Sequence, residues 1–370
     1  MDFLAEYGMF LAQAITIVIA IMLVIGAIAN AGQKNKKQPA GHIEIINLSE
    51  EYSEVKDGML KEILSDEEYK LLLKEKKKKD KAEQKERKKA AKLAAKANAK
   101  NTAENETEED DSDSDEQSKR LFVLDFDGDV EASAVENLRE EITAIISAAE
   151  KGDEVLVKVE SPGGMVHAYG FAASQLSRIK DAGLILTVAV DQVAASGGYM
   201  MACVANKIIA APFAIVGSIG VVAEIPNFHR LLKHNKVDYE QHTAGEYKRT
   251  LTMFAENTDE ARTKFKQELQ ETHGLFKQFI NENRPALEVD KVATGEHWYG
   301  SQALTLGLID EIKTSDDYLL SQAEEREIFG ISYEVKKPLA ERLSFSVQSA
   351  IEKGVAVIWK KNIESRLFRG

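Results

Sequence analysis

Asp191-Gln192-Val193-Ala194-Ala195-Ser196-Gly197-Gly198-Tyr199-Met200 is the stretch of this chain whose residue types best fit covalent chemistry. A serine hydroxyl attacks a carbonyl only when a base takes its proton and fixed donors stabilise the oxyanion that forms. A strand-like apolar run, Leu184 to Val190, leads into the stretch, and a helix-compatible run, Tyr199 to Val204, leaves it. Ser196 therefore falls at a strand-to-helix junction. There, unpaired backbone N–H groups and the positive end of a helix dipole favour a developing anion. Gly197 and Gly198 keep side chains out of the path of a substrate backbone. A serine N-cap followed by glycines in a tight turn fits the same residues equally well. The stretch alone does not separate the two readings.

Further donors and a base have to come from elsewhere in the chain. Ser161-Pro162-Gly163-Gly164 closes the strand-like run Val155 to Val159, so Gly163 and Gly164 offer N–H groups unobstructed by side chains, and Gly197 offers another. The histidines His167, His229, His234, His242, His273 and His297 are scattered, and no carboxylate pattern marks one as an oriented base. Lys248 follows the strand-like Val237 to Thr243 in the turn Ala244-Gly245-Glu246-Tyr247-Lys248. A lysine serves as a base at neutral pH only where desolvation lowers its pKa, as in a semi-buried peptide cleft. Ser218, in Gly217-Ser218-Ile219-Gly220, is placed to orient such an amine. The residues alone leave the base open among several histidines and many lysines. The single cysteine, Cys203, lies in an apolar stretch, so no intrachain disulfide can form, and a buried structural thiol is expected there.

The positioning elements read as α/β. Leu121 to Phe126 is a strand, and Val135, Leu138, Ile142, Ile145 and Ile146 share one helix face. After the Val155 to Val159 strand, Ala168, Phe171, Ala172, Leu176 and Ile179 mark a second helix, and then comes the strand that delivers Ser196. This alternation predicts parallel strands with chemistry at their C-terminal ends, which puts the Ser161 to Gly164 turn and Ser196 at one sheet edge. Ile208 to Ala210 and Ile219 to Val222 are expected as short strands, with Val237 to Thr243 as another. Phe265, Leu269, Phe276 and Ile280 share one face of a long helix, and Leu304 to Ile312 closes the core. Leu184 to Phe213 is apolar enough to suggest a membrane span, but Asp191, Gln192, Lys207 and the turn signals break it into short elements.

The flanks differ in kind. Met9 to Ala29 is almost continuously apolar, and about 20 such residues span a bilayer. Asp2 and Glu6, with no preceding Lys or Arg, argue against a cleaved signal peptide. Lys34, Lys36 and Lys37 follow, so the positive-inside rule places the remainder in the cytoplasm, with the periplasm as the alternative. Residues 38–70 suggest short helical pieces, Lys74 to Lys100 is rich in lysine and alanine, and Glu104 to Glu116 is acidic. Such like-charge blocks bury too little to offset ordering entropy and read as a spacer, its lysines available to anionic lipid. Leu343, Val347, Ile351, Val355 and Ile358 give a C-terminal amphipathic helix suited to packing or oligomer contact. The expected organisation is an anchor over 1–33, a charged spacer, helical in part and disordered in part, over 34–118, a catalytic domain over 119–336 and an amphipathic helical extension over 337–370. The net charge of -13, with no aromatic residues among the basic runs, gives no reason to expect nucleic acid.

Taken together and in this order, Ser161-Pro162-Gly163-Gly164, Ala195-Ser196-Gly197-Gly198-Tyr199, Gly217-Ser218-Ile219-Gly220, Gly245-Glu246-Tyr247-Lys248 and Gly307-Leu308-Ile309-Asp310 resemble the signal peptide peptidase A family of serine peptidases. The likeness covers roughly Leu121 to Leu320 and is closest to the membrane-anchored SohB branch. It implies a crotonase/Clp-like fold of repeated β-β-α units behind an N-terminal transmembrane helix in the bacterial inner membrane. It implies a Ser-Lys dyad with no metal or cofactor: Ser196 as nucleophile, Lys248 as base, Ser218 assisting the lysine, and Gly163 with Gly197 as oxyanion hole. The expected partners are peptide or unfolded-protein substrates, membrane lipid and further copies of the chain in a ring. The long bacterial members duplicate the domain, and no internal repeat is seen here, so a site built with help from neighbouring subunits is implied. Two other readings remain open at this point: an acyl-CoA-processing crotonase-type enzyme, and a catalytically silent membrane scaffold.

Overall fold

The computed structural model describes residue 16, residues 41–78, residue 81 and residues 119–335. The expected anchor, the charged part of the spacer and the C-terminal amphipathic helix lie outside the described residues. Among the described residues no helix is long and apolar enough to cross a membrane. Ile43–Tyr333 forms one compact unit.

In chain order the elements begin with β1 (His42–Asn47), α1 (Leu48–Ile63), β2 (Arg120–Asp127), α2 (Val135–Ala148), β3 (Glu154–Glu160), α3 (Val166–Asp181), β4 (Ile185–Val190), β5 (Val193–Ala195) and α4 (Gly197–Ala202). They continue with β6 (Lys207–Ala210), β7 (Ile215–Gly217), α5 (His229–His234), α6 (Asp259–Asn283), α7 (Val289–Val292), β8 (His297–Tyr299), α8 (Gly300–Thr305), β9 (Glu311–Ile312), α9 (Ser315–Gln322) and β10 (Glu327–Glu334). The fold is mixed α/β, as the alternation of strand and helix patterns predicts.

Seven strands form the main sheet in the order β1-β10-β2-β3-β4-β6-β9. The pairings from β10 through β9 are parallel, with Leu121 opposite Glu154 and Val155 opposite Leu186. Near-continuous apolar strands of this kind are buried on both faces. On one face Phe122, Leu124, Phe126, Val157 and Val188 pack with Leu138 and Ile142 of α2 and Leu176 of α3. On the other, Leu121, Val123, Leu156 and Ile209 pack with Tyr318 and Leu319 of α9. Glu154, buried on β3, accepts from Thr187 Oγ1 at 2.6 Å, Tyr318 Oη at 2.5 Å and Arg326 at 2.6 Å, so its charge is paired as burial requires.

A second, three-stranded sheet carries the reactive loop. β5 pairs in parallel with β7, β7 pairs antiparallel with β8, and an isolated parallel bridge joins Ser161 to Ala194. Two strand expectations are corrected by the structure. Ile219 to Val222 is not a strand: Gly217 at φ 98 and Ser218 at φ 50 turn the backbone out of the β region directly after β7. Val237 to Thr243 is not a strand either, because no other strand pairs with it and the whole segment is exposed. Part of the expected spacer is folded, since β1 borders β10 at the sheet edge. The expected short helical pieces of that region are a 16-residue helix, α1, capped by the Asn47 side chain on the Glu50 N–H, with a further helical run over 66–78.

Candidate active site

Ser196 sits between β5 and α4 with φ 52 and ψ −113, a left-handed conformation rare for a residue with a Cβ. Such a backbone costs on the order of 1–3 kcal/mol and persists only where its surroundings fix it. Here the fixing is two-sided. Ser196 N–H donates to Gly217 O at 2.7 Å, and its own carbonyl accepts from Met200 N at 2.9 Å. On the far side of β5, Ser161 N–H donates to Val193 O and Ala195 N–H to Ser161 O, at 2.8 and 3.0 Å. The hydroxyl is thereby raised at the N-terminus of α4, half-buried, with the buried Gly197 N–H at the first helical position, where no intrahelical acceptor exists.

The glycines around Ser196 are required by space inside the protein. A Cβ on Gly197 would stand 2.3 Å from Tyr169 Cγ, and one on Gly198 would stand 2.7 Å from Ser161 O. Sequence reasoning assigned these glycines to substrate access; the packing shows that they admit Tyr169 and the Ser161 strand end beneath the elbow. Gly163, at φ 90, brings its loop against Ser196, since a Cβ there would meet Ser196 Cβ at 2.7 Å. The loop is pinned by Met165 N–H on Val130 O at 2.8 Å.

Ser196, Gly163, Gly164 and Ser218 line one cavity of about 560 Å³, walled further by Val222 and by Leu269 of α6. Ser218 is held by its N–H on Glu296 O at 2.8 Å. Within the Ser-Pro-Gly-Gly loop the two amides differ. Gly163 N–H donates to Ser161 Oγ at 3.1 Å, whereas Gly164 N–H has no protein acceptor among the described residues. Sequence reasoning placed the Ser161 turn beside Ser196 but missed the Ser161 side chain and Tyr169 as parts of this architecture. Both side chains are buried, and their oxygens lie 2.5 Å apart. Burial, together with the nearby Asp129 and Asp127 charges, pushes the Tyr169 phenol above its ordinary range despite the Ser161 bond, so it remains a neutral donor. His273, one of the scattered histidines, borders the cavity from α6, and its Nε2 is buried without a protein hydrogen-bond partner. Cys203 is buried behind α4, where burial pushes its thiol up to about 12, as expected of a structural thiol.

Lys248 is not brought to this cavity. It lies exposed in a turn closed by its N–H on Gly245 O at 3.2 Å, and it borders a different cavity of about 570 Å³ with Tyr239 and Phe254. Around it, residues 222–249 are almost wholly exposed, including Val222 at 82% and Leu231 at 57%. What holds this arm is a small aromatic cluster, Phe228 stacked on Phe254 and Tyr239 tilted against it, with Phe228 N–H on Met253 O. The single chain therefore brings Ser196, the Gly163-Gly164 loop and Ser218 to one cavity, and leaves Lys248, the expected base, on its surface.

Comparison with known proteins gives the family. Residues 2–176 match the family described as Peptidase family S49 N-terminal, and residues 178–328 match Peptidase family S49. The "Probable protease SohB" of Haemophilus influenzae is 52% identical over 341 residues, covering 92% of each chain. That of Buchnera aphidicola subsp. Schlechtendalia chinensis is 47% identical over 322 residues, covering 87% of this chain and all of the relative. Among solved structures, a mutant of the 1510-N membrane-bound stomatin-specific protease in complex with a substrate peptide aligns over 62% of this chain and 98% of that one, with 14% identity and a TM-score of 0.39. By these full-length matches, the chain belongs to peptidase family S49 and is a protease of the SohB type.

Proposed function

We propose that this protein is a membrane-anchored serine endopeptidase that hydrolyses peptide bonds in unfolded or membrane-released polypeptides through an acyl-enzyme on Ser196. The observation that carries this reading is the strained elbow, which presents the Ser196 hydroxyl to a cavity bordered by glycine amides. Lys248 accepts the serine proton as the hydroxyl oxygen bonds to the scissile carbonyl carbon. It returns that proton to the leaving amine as the C–N bond breaks, then takes one from the water that attacks the acyl group and passes it to the Ser196 oxygen as the ester bond breaks. Gly197 N–H and an amide of the Gly163-Gly164 turn stabilise the oxyanion, and Ser218 orients the lysine. The exposed arm carrying Lys248 supports delivery of the base in an assembly of several copies, where packing would supply the burial a neutral amine requires. The apolar N-terminal segment anchors the chain in the inner membrane, with the catalytic domain on the cytoplasmic side.

Purified full-length chain in detergent, assayed on casein and on fluorogenic peptides, tests the reading. Ser196→Ala is expected to lower hydrolysis by about 10³-fold or more. Equal cleavage by that variant would refute the assignment.

A further inference from the structure

One buried relay behind the elbow has a polarity that the hydrogen-bond chemistry fixes. Tyr169 Oη lies 2.7 Å from the carbonyl oxygen of Asp129, which can only accept, so the phenolic proton is committed there. The 2.5 Å contact between Tyr169 Oη and Ser161 Oγ must then carry the serine proton. That leaves the Ser161 oxygen free to accept, and it accepts from Gly163 N–H at 3.1 Å. The chain thus runs in one direction, from Gly163 N–H through Ser161 and Tyr169 to Asp129. Gly128 leaves room for it, because a Cβ there would stand 2.5 Å from Tyr169 Oη and 2.6 Å from Ser161 Oγ.

The same side chain reaches the other half of the site. Its ring lies directly beneath Gly197, whose N–H opens α4 beside Ser196. Phe126 packs edge-on against the ring at 6.4 Å, and Tyr169 is fully buried. A tyrosine of α3 therefore touches both segments that would supply oxyanion donors: the Ser-Pro-Gly-Gly loop through its hydroxyl and the start of α4 through its ring.

We propose that Tyr169 is a positioning residue for the oxyanion hole, setting the loop amides through Ser161 and the Gly197 amide through ring contact. This inference rests on the peptidase reading. With Gly163 N–H drawn inward by the relay, its orientation and that of the following Gly164 amide depend on the Tyr169 hydroxyl, although that hydroxyl does not touch the reacting atoms. Donors fixed in advance act on the transition state and hardly on ground-state binding, so the signature is a loss in kcat without one in KM.

The test compares full-length wild type, Tyr169→Phe and Ser161→Ala, measuring kcat and KM on a fluorogenic peptide and the affinity of a peptidyl boronate that forms a tetrahedral adduct. Tyr169→Phe keeps the ring and removes the hydroxyl. It is expected to lower kcat about tenfold, less than outright removal of a donor, with KM within about twofold. Boronate affinity should fall in step with kcat/KM, which a loss of general stability would not produce. Ser161→Ala interrupts the same relay and should give the same pattern, so it carries the test if Tyr169→Phe fails to fold. The double variant should be no worse than the weaker single. Unchanged or raised kcat in the folded variants, or a loss confined to KM with the boronate unaffected, would overturn the proposal. Absence of any cleavage by the wild type, or full activity of Ser196→Ala, would instead sink the peptidase reading and this inference with it.

Discussion

The surroundings of Ser196 and of Lys248 are built in opposite ways. Ser196 is flanked on both sides by strand pairing, and its neighbours Ala195, Gly197 and Gly198 are buried. Lys248 sits on an arm held by three aromatic rings and a few backbone bonds, with apolar side chains such as Leu231, Val237 and Tyr247 exposed. The difference teaches that one chain fixes the surroundings of Ser196 by itself, while under the proposed mechanism the position of the base would depend on where the arm packs. The long helix α6 shows the same gradient along its length. Its N-terminal half, next to the arm, has no buried side chain, whereas Phe276 and Ile280 near its C-terminus belong to the core.

The comparison is broken or sharpened most strongly by complementation. Lys248→Ala is expected to lower peptide hydrolysis by about 10³-fold, as loss of a dyad member does. Mixing it with Ser196→Ala chains under conditions that exchange subunits should restore activity if the base crosses between copies. A silent mixture, with exchange demonstrated, would place the arm on its own chain's nucleophile. Smaller in effect is a pair of glycine substitutions. Gly197→Ala forces a methyl against the Tyr169 ring and should destabilise the fold by about 3 kcal/mol in denaturant titration. Gly245→Ala, whose nearest neighbour would be Lys248 Cβ at 3.9 Å, carries only the penalty of its φ of 97, about 1 kcal/mol. Equal losses would mean that the arm is as tightly packed as the elbow.

Much of the rigid region was legible in the sequence, and for a simple reason. Leu121 to Leu124 and Val155 to Val157 are apolar at successive positions, as strands buried on both faces are, with Asp125 and Lys158 the charged exceptions near the strand ends. The meeting of the Ser161 to Gly164 turn with Ser196 followed from parallel topology. Tyr169 was not legible, because its partners lie eight and forty residues away and nothing in a helical pattern marks a tyrosine for that contact. The three-residue strands β5 and β8 are too short to show a period. In the arm, Val237-Asp238-Tyr239-Glu240 alternates as a half-buried strand does, yet a strand needs a paired neighbour, and among the described residues no strand pairs with it. Local pattern alone could not report that this segment has no strand beside it.

The smallest effect concerns the anchored end of α6. Arg284, directly after the helix, donates to both carboxylate oxygens of Asp310 at 2.8 Å, and Asp310 also accepts Ile208 N–H at 2.7 Å. Burial works to raise the Asp310 pKa, but the Arg284 pair and the Ile208 N–H outweigh it and hold the carboxyl below its ordinary value. A carboxylate depressed in the folded state contributes stability that is fully present above its unfolded value, about 3.9 for Asp, and lost as pH falls through the lower folded value. Because the Asp310 side chain is 36% exposed, solvent screening limits this contribution to about 1 kcal/mol. Tm measured from pH 7 down to pH 2 should therefore drop more for wild type than for Asp310→Asn, and the two curves should converge at the acid end. Hydrogen exchange should show the loosening first at the Phe276 to Asn283 end of α6, the end that ties the arm to the catalytic body. If acid instead frees the arm-proximal half first, the anchoring role assigned to Arg284 and Asp310 is wrong.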